Sequence, residues 1–453
     1  MTHNLTTGRP VKTMLLFSLP MIAGNLLQQC YNLADAFLVG RFVGSDALAA
    51  VGASYALMTF LTSILLGLSM GAGAAFSIHF GAKDDRALER SILNAFALIF
   101  SAAVLLNVLV FLLLDPILAL LQIPASLYAM TREYLWIVFW GIGATFLYNF
   151  FASLLRSLGN SAVPLVFLGV SAVLNVVLDT VFLVWGKLGV GGAAAATVIA
   201  QFVSGIGLTV YAALRCPQLR LRTRPRVSKA GLSEITSLSL LTCLQQSVMN
   251  LGILAVQGRV NSFGPAVMAA FAAAVKIDSI AYLPAQDFGN AYSTFVAQNY
   301  GAGKADRIRQ GSKGAALVSL LFCAVSSIVV FVFAEPLMLL FLDAAETEIA
   351  AIGAQYLRIE GAFYCGIGLL FLLYGCFRAV RRPGVSLVLT LVSLGTRVLL
   401  AFALSAVPSI GVTGIWASVP IGWFLADAAG AAILFLSPRR RAEGRKKRGQ
   451  DLV

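Results

Sequence analysis

The sequence predicts an all-α polytopic membrane protein. Twelve transmembrane helices are expected, in two six-helix bundles related by a pseudo-twofold axis along the membrane normal. Three observations lead there: the apolar composition, the alternation of charge between apolar runs, and an internal repeat. Hydrophobic residues make up 59% of the 453 positions and charged residues 12%. The charged share is about half that of ordinary soluble domains. Apolar runs long enough for a helical crossing, roughly 20 residues, recur along the whole chain. A transmembrane β-barrel would show short alternating segments instead.

The runs place spans at about 13–38, 47–80, 91–114, 131–158, 162–185, 191–214, 232–258, 266–300, 315–342, 349–379, 384–407 and 411–436. Spans 2 and 8 are long for one crossing, so they extend beyond the bilayer or tilt and bend, which Pro284 would allow. Lys and Arg set the orientation. The two tails and the even-to-odd gaps hold 26 of them; the odd-to-even gaps hold only Arg41, Lys187 and Arg259. Basic loops stay cytoplasmic, so both termini are expected there, in a multi-pass plasma membrane protein. The net charge of +13 is therefore an orientation signal, and no nucleic-acid partner is expected. The six cysteines show no metal spacing or disulfide framework, so packing is their expected role. The first apolar run lacks a convincing cleavage site and reads as a retained helix.

The repeat is visible residue by residue. Tyr134, Arg156, Gly189 and Gly192 recur as Tyr356, Arg378, Gly411 and Gly414, all 222 positions on. Gly81-Ala82 recurs as Gly301-Ala302 and Gly40-Arg41 as Gly258-Arg259. Six spans is an even number, so both copies run the same way through the membrane, as in parallel-repeat transporters. The expected organisation is a bundle at 1–214, a basic cytoplasmic linker at 215–230, a second bundle at 231–438 and a basic cytoplasmic tail at 439–453. A cleft between packed bundles would suit alternating access.

Polar residues within the spans carry the functional signal. Asn175 and Asp179 lie four apart in span 5 and share one helix face. A carboxylate in mid-membrane costs about 2.5–3.5 kcal/mol and usually faces a cavity, a partner or an ion path. Interhelical hydrogen bonding is the plainer alternative. Span 1 carries Asn25, Gln28, Asn32 and Asp35 on one face; Pro20 marks a place where it can bend. Span 6 adds Thr197 and Gln201 after the small-residue run Gly191–Ala196, although a hydroxyl there can bond back to its own helix. At the repeat offset Asn175 maps to Arg397, Asp179 to Ala401, Thr197 to Val419 and Asp35 to Ile253. A small cation bound at this cluster would therefore bind in the first half only. The second half has its own lines: Gln246, Asn250 and Gln257; Lys276, Asp278, Asp287, Asn290 and Thr294; Arg358 and Glu360; Asp427. Lys276 or Arg397 is expected to pair with a nearby carboxylate. Gln28, Asn32, Gln246, Asn250, Asp278 and Asp287 are candidates to line a substrate cavity.

Several of these segments resemble one family. They are Tyr31-Asn-Leu-Ala-Asp35-Ala-Phe-Leu-Val-Gly40-Arg41 with Ala-Leu-Ala-Ala-Val51-Gly52, Arg156-Ser-Leu-Gly159-Asn160, Asn175-Val-Val-Leu-Asp179 and Gly189-Val-Gly-Gly192-Ala-Ala-Ala-Ala-Thr197. Together they look like the multidrug and toxic compound extrusion (MATE) family over nearly the whole chain. The resemblance implies a secondary antiporter that exports organic, often cationic and amphipathic, compounds in exchange for protons or sodium. It implies a cation-coupling site, sodium included, at Asp35, Asn175, Asp179 and Thr197. Some members also use a Glu in helix 7 and an Asp in helix 10. Here Thr242–Arg259 and Tyr364–Phe377 contain no acid, which argues against a coupling site of that kind in the second half.

Two carboxylates in a poorly hydrated pocket share a proton or hold a cation and titrate as a pair. Asn175 and Thr197 supply neutral oxygens that suit sodium and would equally bond a protonated carboxyl. No cofactor is expected beyond the coupling ion, and the partners are small organic substrates and the bilayer, with a monomer as the working unit. An enzyme is not expected, because the two histidines, His3 and His79, lie near no nucleophile or metal-ligand set. A lipid-linked sugar or polysaccharide flippase of related fold is the alternative, kept open by Arg397 and Lys276 as possible phosphate ligands.

Overall fold

The computed structural model describes residues 4–120, 123–219, 229–342 and 346–450. Most of the expected linker at 215–230 lies outside the described residues, and so do the side chains of the basic tail. Among the described residues all regular structure is helical. Eleven helices are long and apolar enough to cross a membrane, and a bent pair makes a twelfth span. In chain order they are α1 (Pro10–Phe42), α2 (Ser45–Gly81), α3 (Asp85–Leu112), α4 (Ala125–Ser157), α5 (Ala162–Trp185), α6 (Gly189–Arg215), α7 (Gly231–Asn261), α8 (Pro265–Gly301), α9 (Ala305–Val332), α10 (Thr347–Gly361 with Tyr364–Ala379), α11 (Pro383–Ser405) and α12, whose apolar part is Val412–Leu434. Both α2 and α8 are unbroken over 37 residues. At 1.5 Å per residue that is about 55 Å, well over the roughly 30 Å hydrocarbon core, so they project beyond it.

Length and hydropathy determine the spans, but the repeat is written into the backbone as well. Left-handed backbone conformations occur at Gly44 and Gly264, Lys83 and Gly303, Gly159 and Arg381, and Gly189 and Gly411. Each pair is 220 or 222 positions apart. Two short helices match in the same way. Leu114–Leu120 contains Asp115-Pro116 and Ala334–Met338 contains Glu335-Pro336. Each acid pairs with an arginine of the following span: Arg132 Nε to Asp115 at 2.8 Å, Arg358 Nη2 to Glu335 at 3.0 Å. All four side chains are largely solvated, so these pairs fix geometry and contribute little stability.

Two spans break at matching places. In α4 a 3₁₀ turn at Phe139–Gly141 separates Ala125–Val138 from Ile142–Ser157. Asn107 Nδ2 donates to the Phe139 carbonyl at 2.7 Å, which satisfies a backbone acceptor at the break. In α10 the two segments meet at 53° around Ala362–Phe363. Neither break contains proline, and neither was expected from the sequence.

The chain packs as two compact units that do not follow the repeat boundary. One comprises Met1–Asn250, Asn290–Gly314 and Arg378–Arg381; the other comprises Leu251–Gly289, Ala315–Phe377 and Arg382–Val453. The first unit thus contains the whole first repeat together with the basic-gap ends of α7 through α10. Glycines make its closest helix contacts. A Cβ on Gly81 would lie 1.9 Å from the Gln298 carbonyl oxygen, and one on Gly301 would lie 1.9 Å from that of Ile78. Ile78 and Gln298 are themselves repeat mates, so this contact is reciprocal and sits on the internal pseudo-twofold axis. Gly67 and Gly71 of α2 likewise meet the backbone of α7 at Cys243 and Leu238. Small residues of this kind let helix backbones approach within a membrane. We predict that Gly81→Ala and Gly301→Ala each lower the thermal midpoint of the purified protein by an overpacking cost of about 1–3 kcal/mol. Gly258→Ala, which faces open space, should leave the midpoint unchanged.

Candidate ion-coupling site

Three helices of the first unit bring the expected cluster together. α1 packs along α5, and α5 along α6. Ser171 Oγ of α5 donates to the Ala200 carbonyl of α6 at 2.8 Å. Phe167 of α5 lies over Gly207 of α6, where a Cβ would come within 2.7 Å of its ring. This close approach sets Asn175 against Thr197. Asn175 Nδ2 donates to Thr197 Oγ1 at 3.4 Å, leaving Asn175 Oδ1 buried and unbonded. The Thr197 hydroxyl therefore serves its neighbour as an acceptor.

Asp35 reaches the same place from α1. Its carboxyl and that of Asp179 lie within side-chain hydrogen-bonding reach of one another. Asp179 is fully buried, with 0% exposure. Neither of its oxygens has a donor in the protein, and Asp35 Oδ1 and Asn175 Oδ1 are in the same position. These four acceptor atoms come from three side chains of one cluster. A pair of carboxyls with no donor between them needs either a proton on one or a cation between both. The donor set fits either species: carboxylate, amide and hydroxyl oxygens are what a hard monovalent ion takes, and a protonated carboxyl bonds equally well to Asn175 Oδ1.

Two features near the cluster were not legible beforehand. Immediately after Asp179 the helix widens to a π-turn over Thr180–Trp185, a form often found beside functional residues. Tyr134 of α4, buried just before the 3₁₀ break, lies within electrostatic reach of Asp35, Asp179 and Tyr31. Its recurrence as Tyr356 was the only sequence signal for it. Gln28 is engaged with the Tyr31 hydroxyl, and Asn32, Gln246 and Asn250 are half-buried. Gln201, the other polar residue of α6, packs against Gly141 at the α4 break.

The second unit holds a different cluster. Asp278 of α8 is within side-chain hydrogen-bonding reach of Glu360 and Tyr364, which flank the bend in α10. Glu360 is similarly placed against Tyr356, and Arg397 of α11 lies within electrostatic reach of both acids. Asp278, Glu360, Tyr356 and Tyr364 are all buried. Arg397 is half-buried, its Nε has no hydrogen-bond partner, and it makes no ion pair within 4.0 Å among the described residues. Lys276 is exposed on the outside of α8, and no ion pair to it occurs among the described residues. Asp287 is also buried, while both Asp427 oxygens in α12 are buried without a donor. No group of three or more His, Cys, Asp or Glu side chains forms a metal-binding cluster among the described residues.

A family model for MatE matches residues 20–181 and 239–403, one segment in each repeat. The chain belongs to the MatE family. A MatE relative in Bacillus subtilis, named a probable multidrug resistance protein, YpnP, is 32% identical over 86% of this chain and 87% of that protein. The FAD transporter of Shewanella oneidensis is 26% identical, with 96% of each chain covered. Among solved structures, MATE in the bent conformation superposes with a TM-score of 0.88 over 98% of both chains at 22% identity. An outward-facing MATE transporter gives 0.89 over 97% of both. The MatE chain described here is therefore a multi-pass membrane protein of the MATE transporter type.

Removing one member of a buried charge cluster leaves its partners uncompensated, at about 3–5 kcal/mol. Arg397→Ala should therefore lower the thermal midpoint strongly, and adding Glu360→Gln should recover part of the loss. An unaltered midpoint in Arg397→Ala would mean that Arg397 does not compensate these acids.

Proposed function

We propose that this MatE protein is an antiporter that exports small organic compounds in exchange for protons or sodium. The observation that carries the reading is the donorless meeting of Asp35 and Asp179 on two different helices. Such a pair is stable only when a positive species occupies it, so its occupancy and the spacing of α1 and α5 are one equilibrium. Asn175 and Thr197 complete the ion's oxygen shell. The names of the relatives as multidrug resistance proteins support organic compounds as cargo. Gln28, Asn32, Gln246 and Asn250 are the half-buried polar groups offered to that cargo in the first unit. The basic gaps and both termini face the cytoplasm, and the monomer is the transporting unit. The lipid-linked sugar alternative is less well supported, because Arg397 lies within electrostatic reach of two acids, Asp278 and Glu360, that would repel a phosphate.

The driving force follows from charge. Exchange of one ion for one monovalent cation is electroneutral, so a tenfold ion gradient yields about 1.4 kcal/mol, or tenfold accumulation. A second ion per cycle would add about 2.3 kcal/mol per 100 mV of potential. In liposomes with an imposed pH or sodium gradient, an ethidium-like cation should move against its own gradient. Asp35→Asn and Asp179→Asn should each abolish that movement while the protein still inserts; full activity of either variant would falsify the coupling claim. Loss of the hydroxyl in Thr197→Val removes one ligand of about 1 kcal/mol. It should raise the ion concentration for half-maximal transport several-fold and leave the maximal rate near wild type.

A further inference from the structure

Residues Asn4–Gly8, just ahead of α1, are mostly polar, yet they are tightly held. Residues Asn4–Gly8 fold on themselves: Asn4 Oδ1 accepts from the Thr6 amide at 2.9 Å and from the Thr6 hydroxyl at 2.7 Å. This turn presents Leu5, which is fully buried. It also presents four consecutive carbonyls, Leu5 to Gly8, to the basic turn between α8 and α9. Asn299 Nδ2 donates to the Leu5 carbonyl at 3.1 Å and Lys304 Nζ to that of Thr6 at 2.8 Å. Arg307 spans the rest, with Nη2 on Leu5 at 3.1 Å and on Thr7 at 2.5 Å, and Nη1 on Gly8 at 2.5 Å. The guanidinium is held from behind by the Phe295 ring at 5.4 Å. Gln298 accepts from the Leu5 amide at 3.2 Å and donates to the Ser157 carbonyl at the end of α4 at 2.8 Å.

These bonds join parts from both repeats. Ser157 belongs to the first copy, Gln298 through Arg307 to the second, and Asn4–Gly8 runs straight into α1, the helix that carries Asp35. Gln298 is also the residue whose carbonyl meets Gly81 on the pseudo-twofold axis. We infer that Asn4–Gly8 is a latch that locks the basic-gap ends of the two repeats together, and that it must release each time the transporter opens at that face. The inference rests on the transport reading, but not on which ion is coupled. Because the latch is continuous with α1, movement of α1 at the carboxylate site has a direct covalent route to the lock. Arg307 is central, since one side chain makes the bonds to three of the four carbonyls, and charge-assisted bonds of this kind are the stronger ones.

The test uses full-length protein in nanodiscs and liposomes, with the six native cysteines replaced. In a Ser157→Cys background, a water-soluble maleimide should label slowly, because position 157 is 1% exposed. Arg307→Ala, and separately Leu5→Asp, should raise the labelling rate at least tenfold while ethidium binding, measured by fluorescence polarisation, is retained. Locking is tested from the other direction. A short bismaleimide joining Thr6→Cys to Lys304→Cys should stop ethidium transport without stopping ethidium binding, and each single-cysteine variant treated alike should transport normally. Labelling rates unchanged by both latch variants, or full transport by the cross-linked protein, would overturn the latch. Loss of gradient-driven transport in every protein, the uncross-linked parent included, would instead count against the transport reading.

Discussion

The candidate coupling site depends on two acids placed on separate helices with, among the described residues, no donor to either oxygen of Asp179 or to Asp35 Oδ1. Like charges at contact repel strongly where water is scarce, and the repulsion grows as the surroundings become less polar. Among the described residues no arginine or lysine relieves it. The protein surrounds the pair with an amide oxygen and a hydroxyl, which stabilise a positive guest and do little for an empty anionic pair. The packing of α5 on α6 keeps Asn175 and Thr197 in register. α1 packs along α5 well away from this pair too, with Gly24 against Leu165 and Leu168 and the Ser161 hydroxyl donating to the Phe17 carbonyl, and Asn4–Gly8 ahead of it bonds to the turn between α8 and α9. On the proposed reading, a cation between Asp35, in the last quarter of α1, and Asp179 of α5 would bias how the two helices sit.

The two repeats share a backbone plan and differ in chemistry. Left-handed residues, short proline-containing helices, span breaks and the Arg156–Arg378 match recur, whereas the acids of the two buried clusters do not. Where the first copy has Asn175 the second has Arg397, and the acids around it, Asp278 and Glu360, arrive from other helices. The first cluster brings two acids together with neutral oxygens, whereas the second has Arg397 within electrostatic reach of its acids.

Much of this was legible in the sequence, for identifiable reasons. Hydropathy and the Lys/Arg alternation gave the spans because the bilayer imposes a length and a charge rule on each helix. Asn175 with Asp179, and the line ending at Asp35, could be placed on faces because helical spacing needs only residue numbers. That Asp35 meets Asp179 could not be derived this way, since the meeting depends on how α1 and α5 rotate about their axes. The same holds for Asp278 with Glu360. The π-turn after Asp179 and the breaks in α4 and α10 carry no proline, so no local signal announced them. The latch was hidden for the opposite reason: Asn-Leu-Thr-Thr-Gly has the composition of a loose tail, and the groups that order it lie about 300 residues away.

The matched breaks have a historical consequence. A joint at the same depth in both copies is most simply inherited from the single six-helix ancestor, whose duplication produced the chain. The acids that differ between the copies were then added or lost afterwards. Tyr134 and Tyr356, each just ahead of its break, recur with it, so the break and its neighbouring phenol belong to the shared plan while the acids do not.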